Sequence, residues 1–274
     1  MNAHAIDEDD TDEGVVPVGE DVLPGYDVVE LLSRGQRVDT YDVHSRERGC
    51  RCIVKIVRPD RADVERVREA VLTEGRLLTD LTHPHLVRGY EVVEQPVPAA
   101  VLETLGGHTL DALVARRRLG PRDAAHLGLQ LGSALSYLHR HGWLHLDVKP
   151  ENVVVDGTRA VLIDLSVARQ PGPARAGIGT EEYMAPEQLS GGVLTAATDT
   201  FGLGVTLLEA MTDRLPDPAR ALPYRVGRRP LRPWGEPLPP AFGDLLRRCL
   251  HPDPARRPGW PELRRVLTAV AETS

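Results

Sequence analysis

Within the eight residues His145-Leu146-Asp147-Val148-Lys149-Pro150-Glu151-Asn152 stand a carboxylate, an ammonium group and an amide, at spacings of two and three. A carboxylate can accept a proton, an ammonium can neutralise an anion and an amide oxygen can bind a hard cation. No rule of core packing asks for the three together. Lys149 is one of only two lysines; the other is Lys55, and the remaining 31 of the 33 basic side chains are arginine. Lysine carries a compact point charge on a slim stem, arginine a broad planar fork. A coding preference for arginine accounts for the 31, and leaves two positions where a narrow site touching one anionic oxygen requires the slim cation. Lys55 ends the strand-like run Cys52-Ile53-Val54-Lys55, and Asp164 follows the apolar run Val161-Leu162-Ile163, 12 residues beyond Asn152.

These groups need elements to hold them. From Tyr26 to Glu103 the chain alternates short β-type runs (28–32, 40–43, 52–57, 87–93 and 99–103) with one helical stretch. That stretch, Asp63 to Leu81, carries Val64, Val67, Val71, Leu77, Leu78 and Leu81 near a 3.6-residue period. After Gly107 the pattern becomes helical: 110–117, then 121–141 opening on a proline suited to a helix start, and later 198–212, 242–250 and 260–271. Two valine-rich strands, 153–155 and 160–163, flank a turn at Asp156-Gly157. Eight of the 23 prolines fall between Leu215 and Pro240, so this stretch is expected to be irregular, either a partner surface or a plain loop.

Composition narrows the function. The 274 residues with 41% hydrophobic content suffice for one large domain or two lobes. A net charge of −7, with arginines scattered among 40 acids, argues against a nucleic-acid partner; the densest basic run, Arg116 to Arg118, reads as a solvated helix end. Three cysteines, an odd number, fit a reducing compartment, and Cys50 and Cys52 read as strand residues in preference to a metal pair. No secretory leader and no apolar run of about 18 residues is visible, so a cytoplasmic protein without a membrane anchor is expected. Residues 1–22 carry eight acids and are expected to be a disordered tail.

The segment from His145 to Asn152 resembles the catalytic loop of eukaryotic-type (Hanks-type) protein kinases, and further motifs follow in that family's order. Gly179-Thr180-Glu181-Glu182-Tyr183-Met184-Ala185-Pro186-Glu187 resembles the end of an activation segment, Asp199 to Gly204 a buried lower-lobe helix, and Arg256-Arg257-Pro258 the site whose arginine pairs with Glu187. The resemblance spans about 26–271 and implies an α+β, bilobal protein-kinase-like fold: a small β-sheet with one helix over 23–103, and a mainly helical lobe over 104–274. It implies ATP and Mg²⁺ as cofactors and protein substrates. Lys55 would hold the α- and β-phosphates, steered by Glu74, and Asp147 would orient the attacking hydroxyl. Lys149 would neutralise the γ-phosphate, Thr180 would contact both Asp147 and Lys149, and Asn152 and Asp164 would bind the metal. Leu32, Ser33, Gly35, Thr40, Ile53, Glu103 and Leu105 would join Lys55 in lining the nucleotide. Lysine two residues after Asp147 is the serine/threonine form of the loop.

Departures from the pattern carry their own expectations. Ser33-Arg34-Gly35-Gln36-Arg37-Val38 keeps one glycine where the family has three, which weakens close backbone approach to phosphate. Ile53 and Thr40 stand where alanine and valine are usual, implying a tighter adenine pocket. Leu146 replaces the arginine that would read a phosphorylated activation segment, and residues 167–179 contain no hydroxyl side chain. Control by activation-segment phosphorylation is therefore not expected. Ser166 replaces the glycine of the metal-binding motif, which makes a flip of that segment harder. The leading alternative is a pseudokinase that binds nucleotide or partner as a scaffold; a small-molecule phosphotransferase would lack both Lys149 and the segment ending at Glu187. The sequence does not give the oligomeric state.

Overall fold

Alternating burial along strands and a 3.6-residue stripe along helices set the architecture. A computed structural model describes residues 14–212 and 238–272, so most of the proline-rich stretch from Leu215 to Pro240, and residues 1–13, lie outside the described residues. The chain divides into two units. One runs to Thr79 and resumes over Gly89–Thr104; the other comprises Asp80–Arg88 and the chain from Leu105 onward.

The first unit is built on strands β1 (Asp21–Leu23), β2 (Tyr26–Arg34), β3 (Val38–Ser45) and β4 (Cys50–Val57), helix α1 (Glu65–Asp80), and strands β5 (Gly89–Val93) and β6 (Ala99–Glu103). The strands form one antiparallel sheet in the order β1-β2-β3-β4-β6-β5. Tyr26, Val28, Tyr41, Val43, Cys52, Val54, Ala99 and Val101 project into a common core. On β4 the alternation puts Cys52 and Val54 inside and leaves Ile53 and Lys55 half-buried on the opposite face.

The expected disordered tail does not extend through residue 22. Val15 and Val16 pack against the sheet core, and the Val16 N–H donates to the Tyr41 hydroxyl (3.1 Å). The Gly19 N–H donates to Val28 O (2.8 Å), and Asp21 in β1 pairs with Arg46. That Arg46 bond, followed by the Gly25 N–H, holds the Asp21 carboxyl below the usual range. Counting acids alone overlooked the valines and the partner across the sheet.

In the second unit β7 (His108–Thr109) leads into α2 (Leu110–Val114) and α3 (Pro121–Arg140), followed by β8 (Val153–Asp156), β9 (Arg159–Leu162), β10 (Gly172–Ala174) and α4 (Pro186–Ser190). Next come β11 (Gly192–Leu194), α5 (Ala196–Thr212), α6 (Pro240–Cys249) and α7 (Trp260–Ala271). Helix α2 spans Leu110–Val114, short of the expected Arg117, although helical bonds continue from the Ala115 N–H to Asp111 O (2.9 Å) and from the Arg117 N–H to Leu113 O (3.0 Å). Strands β8 and β9 form the expected hairpin, with β7 on its outer side. Segment 80–88 joins this unit through mutual bonds of His85 and Val87 with Leu162. Helix α5 buries residues around its whole circumference, from Thr198 to Met211, as a central helix must.

Arg257 anchors the end of segment 179–187 to this helical core. Its guanidinium is fully buried and meets Glu187 in a fork (2.6 and 2.8 Å), while the remaining donors reach Ala197 O, His251 O and Pro252 O. The Phe201 ring lies 5.0 Å from it. Removing one side strands a buried charge, so R257A should lower unfolding stability in urea by about 3 to 5 kcal/mol. A loss below about 1 kcal/mol, the range of a surface pair, would contradict this assignment.

Candidate active site

Two groups of side chains, one in each unit, contain the residues singled out by sequence. In the first, Lys55 leaves the half-buried face of β4 directly opposite Thr40 on β3 and Ala100 on β6. Its Nζ donates to Glu74 Oε1 at 2.7 Å. Glu74 reaches it because Val67, Val71, Glu74 and Leu78 recur on the buried stripe of α1; its side chain is only 3% exposed, and that of Lys55 16%. Ile53 shares the Lys55 face two residues earlier. Leu32 and Ser33 lie exposed near the end of β2, Gly35 occupies the β2–β3 turn, and Glu103 closes β6.

The second group forms a closed knot. Asp147 Oδ1 accepts the Thr180 N–H (2.8 Å) and Oδ2 accepts Asn152 Nδ2 (3.0 Å). Lys149 Nζ donates to Thr180 Oγ1 (2.7 Å) and lies 3.3 Å from Asp147 Oδ2. Asp164 follows β9, its Oδ1 accepting the Ser166 N–H (3.0 Å), and the Ile163 N–H donates to Asn152 O (2.9 Å). Leu105 enters this unit half-buried.

Sequence reading missed what holds the knot. Leu146 has φ +67°, a conformation costing a non-glycine residue roughly 1 to 3 kcal/mol. The buried Asp199 carboxylate fixes it: Oδ1 accepts the Leu146 N–H (2.7 Å), and Oδ2 accepts the His145 N–H (2.9 Å) and His139 Nε2–H (2.7 Å). Burial alone would raise the Asp199 carboxyl; the His139 hydrogen bond and the nearby imidazoles outweigh it and hold the group below its ordinary value. An acid inside the apolar run of α5 was the available signal. Gln188 adds bonds to Leu146 O (2.9 Å) and Ile178 O (2.8 Å). Gly179 passes so close that a Cβ would sit 2.5 Å from Leu146 O, and its φ of +108° suits glycine.

The donor set fits a hard divalent cation in part. Asn152 Nδ2 donates to Asp147 O (2.9 Å) and Asp147 Oδ2 (3.0 Å), so the amide oxygen is the atom Asn152 could offer a cation, and Asp164 could offer a carboxylate. Among the described residues no cluster of three or more His, Cys, Asp or Glu could hold an ion alone. Two protein oxygens would leave the remaining positions of a hard divalent cation to phosphate and water.

His145 must be neutral here. Its Nδ1 accepts the Asp147 N–H (3.2 Å) and its Nε2–H donates to Ile163 O (3.3 Å), while burial holds its pKa below the ordinary value against the pull of three aspartates. Protons therefore bind the unfolded chain first as pH falls below about 6.5. The urea midpoint should be flat from pH 8 to 7 and drop from pH 7 to 5. His83, also lowered by burial, contributes in the same direction, so H145F should flatten the slope without abolishing it. A slope unchanged in H145F would contradict the role given to His145.

The protein kinase domain family matches residues 26–266. The serine/threonine-protein kinase PkaA of Streptomyces coelicolor is 33% identical over 234 residues, covering 80% of this chain and 43% of that protein. PknD of Mycobacterium tuberculosis is 28% identical over 260 residues (89% and 39%), and PrkC of Bacillus subtilis 24% over 254 residues (88% and 39%). The chain thus spans about two fifths of the length of these relatives. By the extent of its match it belongs to the protein kinase domain family.

Proposed function

We propose that this chain is an ATP-dependent serine/threonine protein kinase that uses Mg²⁺ to pass the γ-phosphate of ATP to a protein hydroxyl. The observation that carries the reading is the knot of Asp147, Lys149, Asn152 and Thr180. Two donors orient the Asp147 carboxylate, leaving acceptor capacity for the proton of the attacking hydroxyl. Lys149 lies beside it as a point cation for the transferring phosphoryl group. Lys55, fixed by Glu74, takes the α- and β-phosphates; Leu32, Ser33, Gly35, Thr40, Ile53, Glu103 and Leu105 are assigned to the nucleotide. Asn152 and Asp164 hold Mg²⁺, which when bound shields phosphate charge. Phosphoryl transfer needs such positioning and charge cancellation more than covalent help. The relatives are named serine/threonine kinases, and no observation favours the scaffold alternative.

The reading includes a cytoplasmic protein acting on protein substrates without a nucleic-acid partner. Support comes from the net charge of −7, three free cysteines, and the lack among the described residues of a helix long and apolar enough to cross a membrane. It also includes independence from activation-segment phosphorylation. Leu146 is buried with Leu144 and Leu194 under Val167, Ala174 and Ile178, so apolar contact holds the segment where an arginine would need a phosphate. Strand β10 pairs with β11 beside this cluster.

With γ-labelled ATP and Mg²⁺, the wild type should label a generic protein substrate, and D147A should be slower by about 10² to 10⁴-fold. Equal labelling by the two would refute the reading. Phosphatase treatment should leave the wild-type rate unchanged; a large rise on phosphorylation at Thr180 would count against the independence of the segment.

A further inference from the structure

The β2–β3 turn keeps a single glycine, and both of its backbone groups are engaged. The Gly35 N–H donates to Val38 O (2.9 Å), closing a tight turn, and a Cβ at Gly35 would lie 2.9 Å from that same oxygen. The Gly35 carbonyl accepts from Arg58 Nη1 (3.0 Å). Arg58 stands three residues past Lys55, just after β4. Its own N–H donates to Arg37 O (3.0 Å), and its Nε donates to Asp60 Oδ1 (2.9 Å). The arginine is thus tied to both sides of the turn tip, with its side chain only 14% exposed, while Asp60 steers it from the surface at 49%.

A glycine-rich turn binds phosphate by being free to bring its backbone close. A turn pinned by a planar fork reaches the same end differently: it is already ordered before the ligand arrives, so less conformational freedom is lost on binding. We propose that Arg58 is a positioning residue for the nucleotide's phosphates, its guanidinium fixing the β2–β3 turn through the Gly35 carbonyl in place of the missing glycines. The proposal rests on the kinase reading, because it takes this turn to be the phosphate loop. It follows that the fork matters and the bare charge does not: lysine cannot hold Gly35 O and Asp60 at once from two separate nitrogens.

The test is calorimetric titration of the full chain with Mg·ATP and, separately, with adenosine, alongside hydrogen exchange of residues 35–38 without ligand. R58A and R58K should each weaken Mg·ATP about 5- to 10-fold, leave adenosine affinity unchanged, and speed exchange in the turn. D60A, at an exposed position that does not threaten folding, should weaken Mg·ATP about twofold in the same sense. Full rescue by R58K would assign the effect to charge and overturn the proposal. Equal losses for ATP and adenosine would make Arg58 a general structural residue, which also overturns it. Wild-type uptake of ATP that is indifferent to Arg58 would sink the proposal alone, whereas a wild type taking up neither ligand would sink the kinase reading and the proposal with it.

Discussion

The buried carboxylate of Asp199 is the constraint on which the loop from His145 to Asn152 depends. It lies on the central helix and accepts three hydrogen bonds, two from consecutive amides of the loop and one from His139. Two consecutive amides point at this one carboxylate, and directly after the second the chain turns through the left-handed geometry found at Leu146. The strain there and the desolvation of Asp199 are unfavourable separately and offset together, since an ionised acceptor surrounded by donors is strong in a low-dielectric interior. The loop's shape is thus set by a residue some fifty positions downstream. Thr206 extends the same control, its hydroxyl donating to Val148 O (3.1 Å).

The activation segment is secured at two points by different physics. At its end, Glu187 and Arg257 form a desolvated ion pair whose geometry is directional and whose disruption from one side is costly. Nearer the loop, the contacts around Leu146 are apolar and need no modification to form. Gln188 links the regions, bonding to Leu146 O and Ile178 O from α4. Thr180 is held between these anchors, and from there its N–H reaches Asp147 and its hydroxyl reaches Lys149.

Much of the fold was legible because its signals are local. Strand alternation from Cys52 to Val57 and the helical stripe around Val67, Val71 and Leu78 follow from periodicity alone. The pairings of Lys55 with Glu74, and of Thr180 with Asp147 and Lys149, came from motif resemblance, and their geometry agrees. What sequence could not give was long-range. Asp199 was seen as part of a motif, but its partners at 139, 145 and 146 emerge only when α5 packs behind the loop. Strands β10 and β11 have three residues each, with glycine and proline, too short and too irregular to show a period. The ordered residues 14–22 were masked by their charge, because an acidic segment reads as solvated until Arg46 and the Tyr41 hydroxyl come within reach.

The most direct test replaces the Asp199 carboxylate with an amide of the same shape, because in D199N one oxygen can still accept but the other position presents a donor to a donor. If this carboxylate sets the loop, hydrogen exchange of the His145 and Leu146 amides should accelerate in D199N. Phosphoryl transfer should fall by about 100-fold, the cost of misplacing a reacting group by roughly 1 Å, while unfolding stays cooperative. A D199N protein that transfers phosphate at the wild-type rate with those amides still protected would contradict the account.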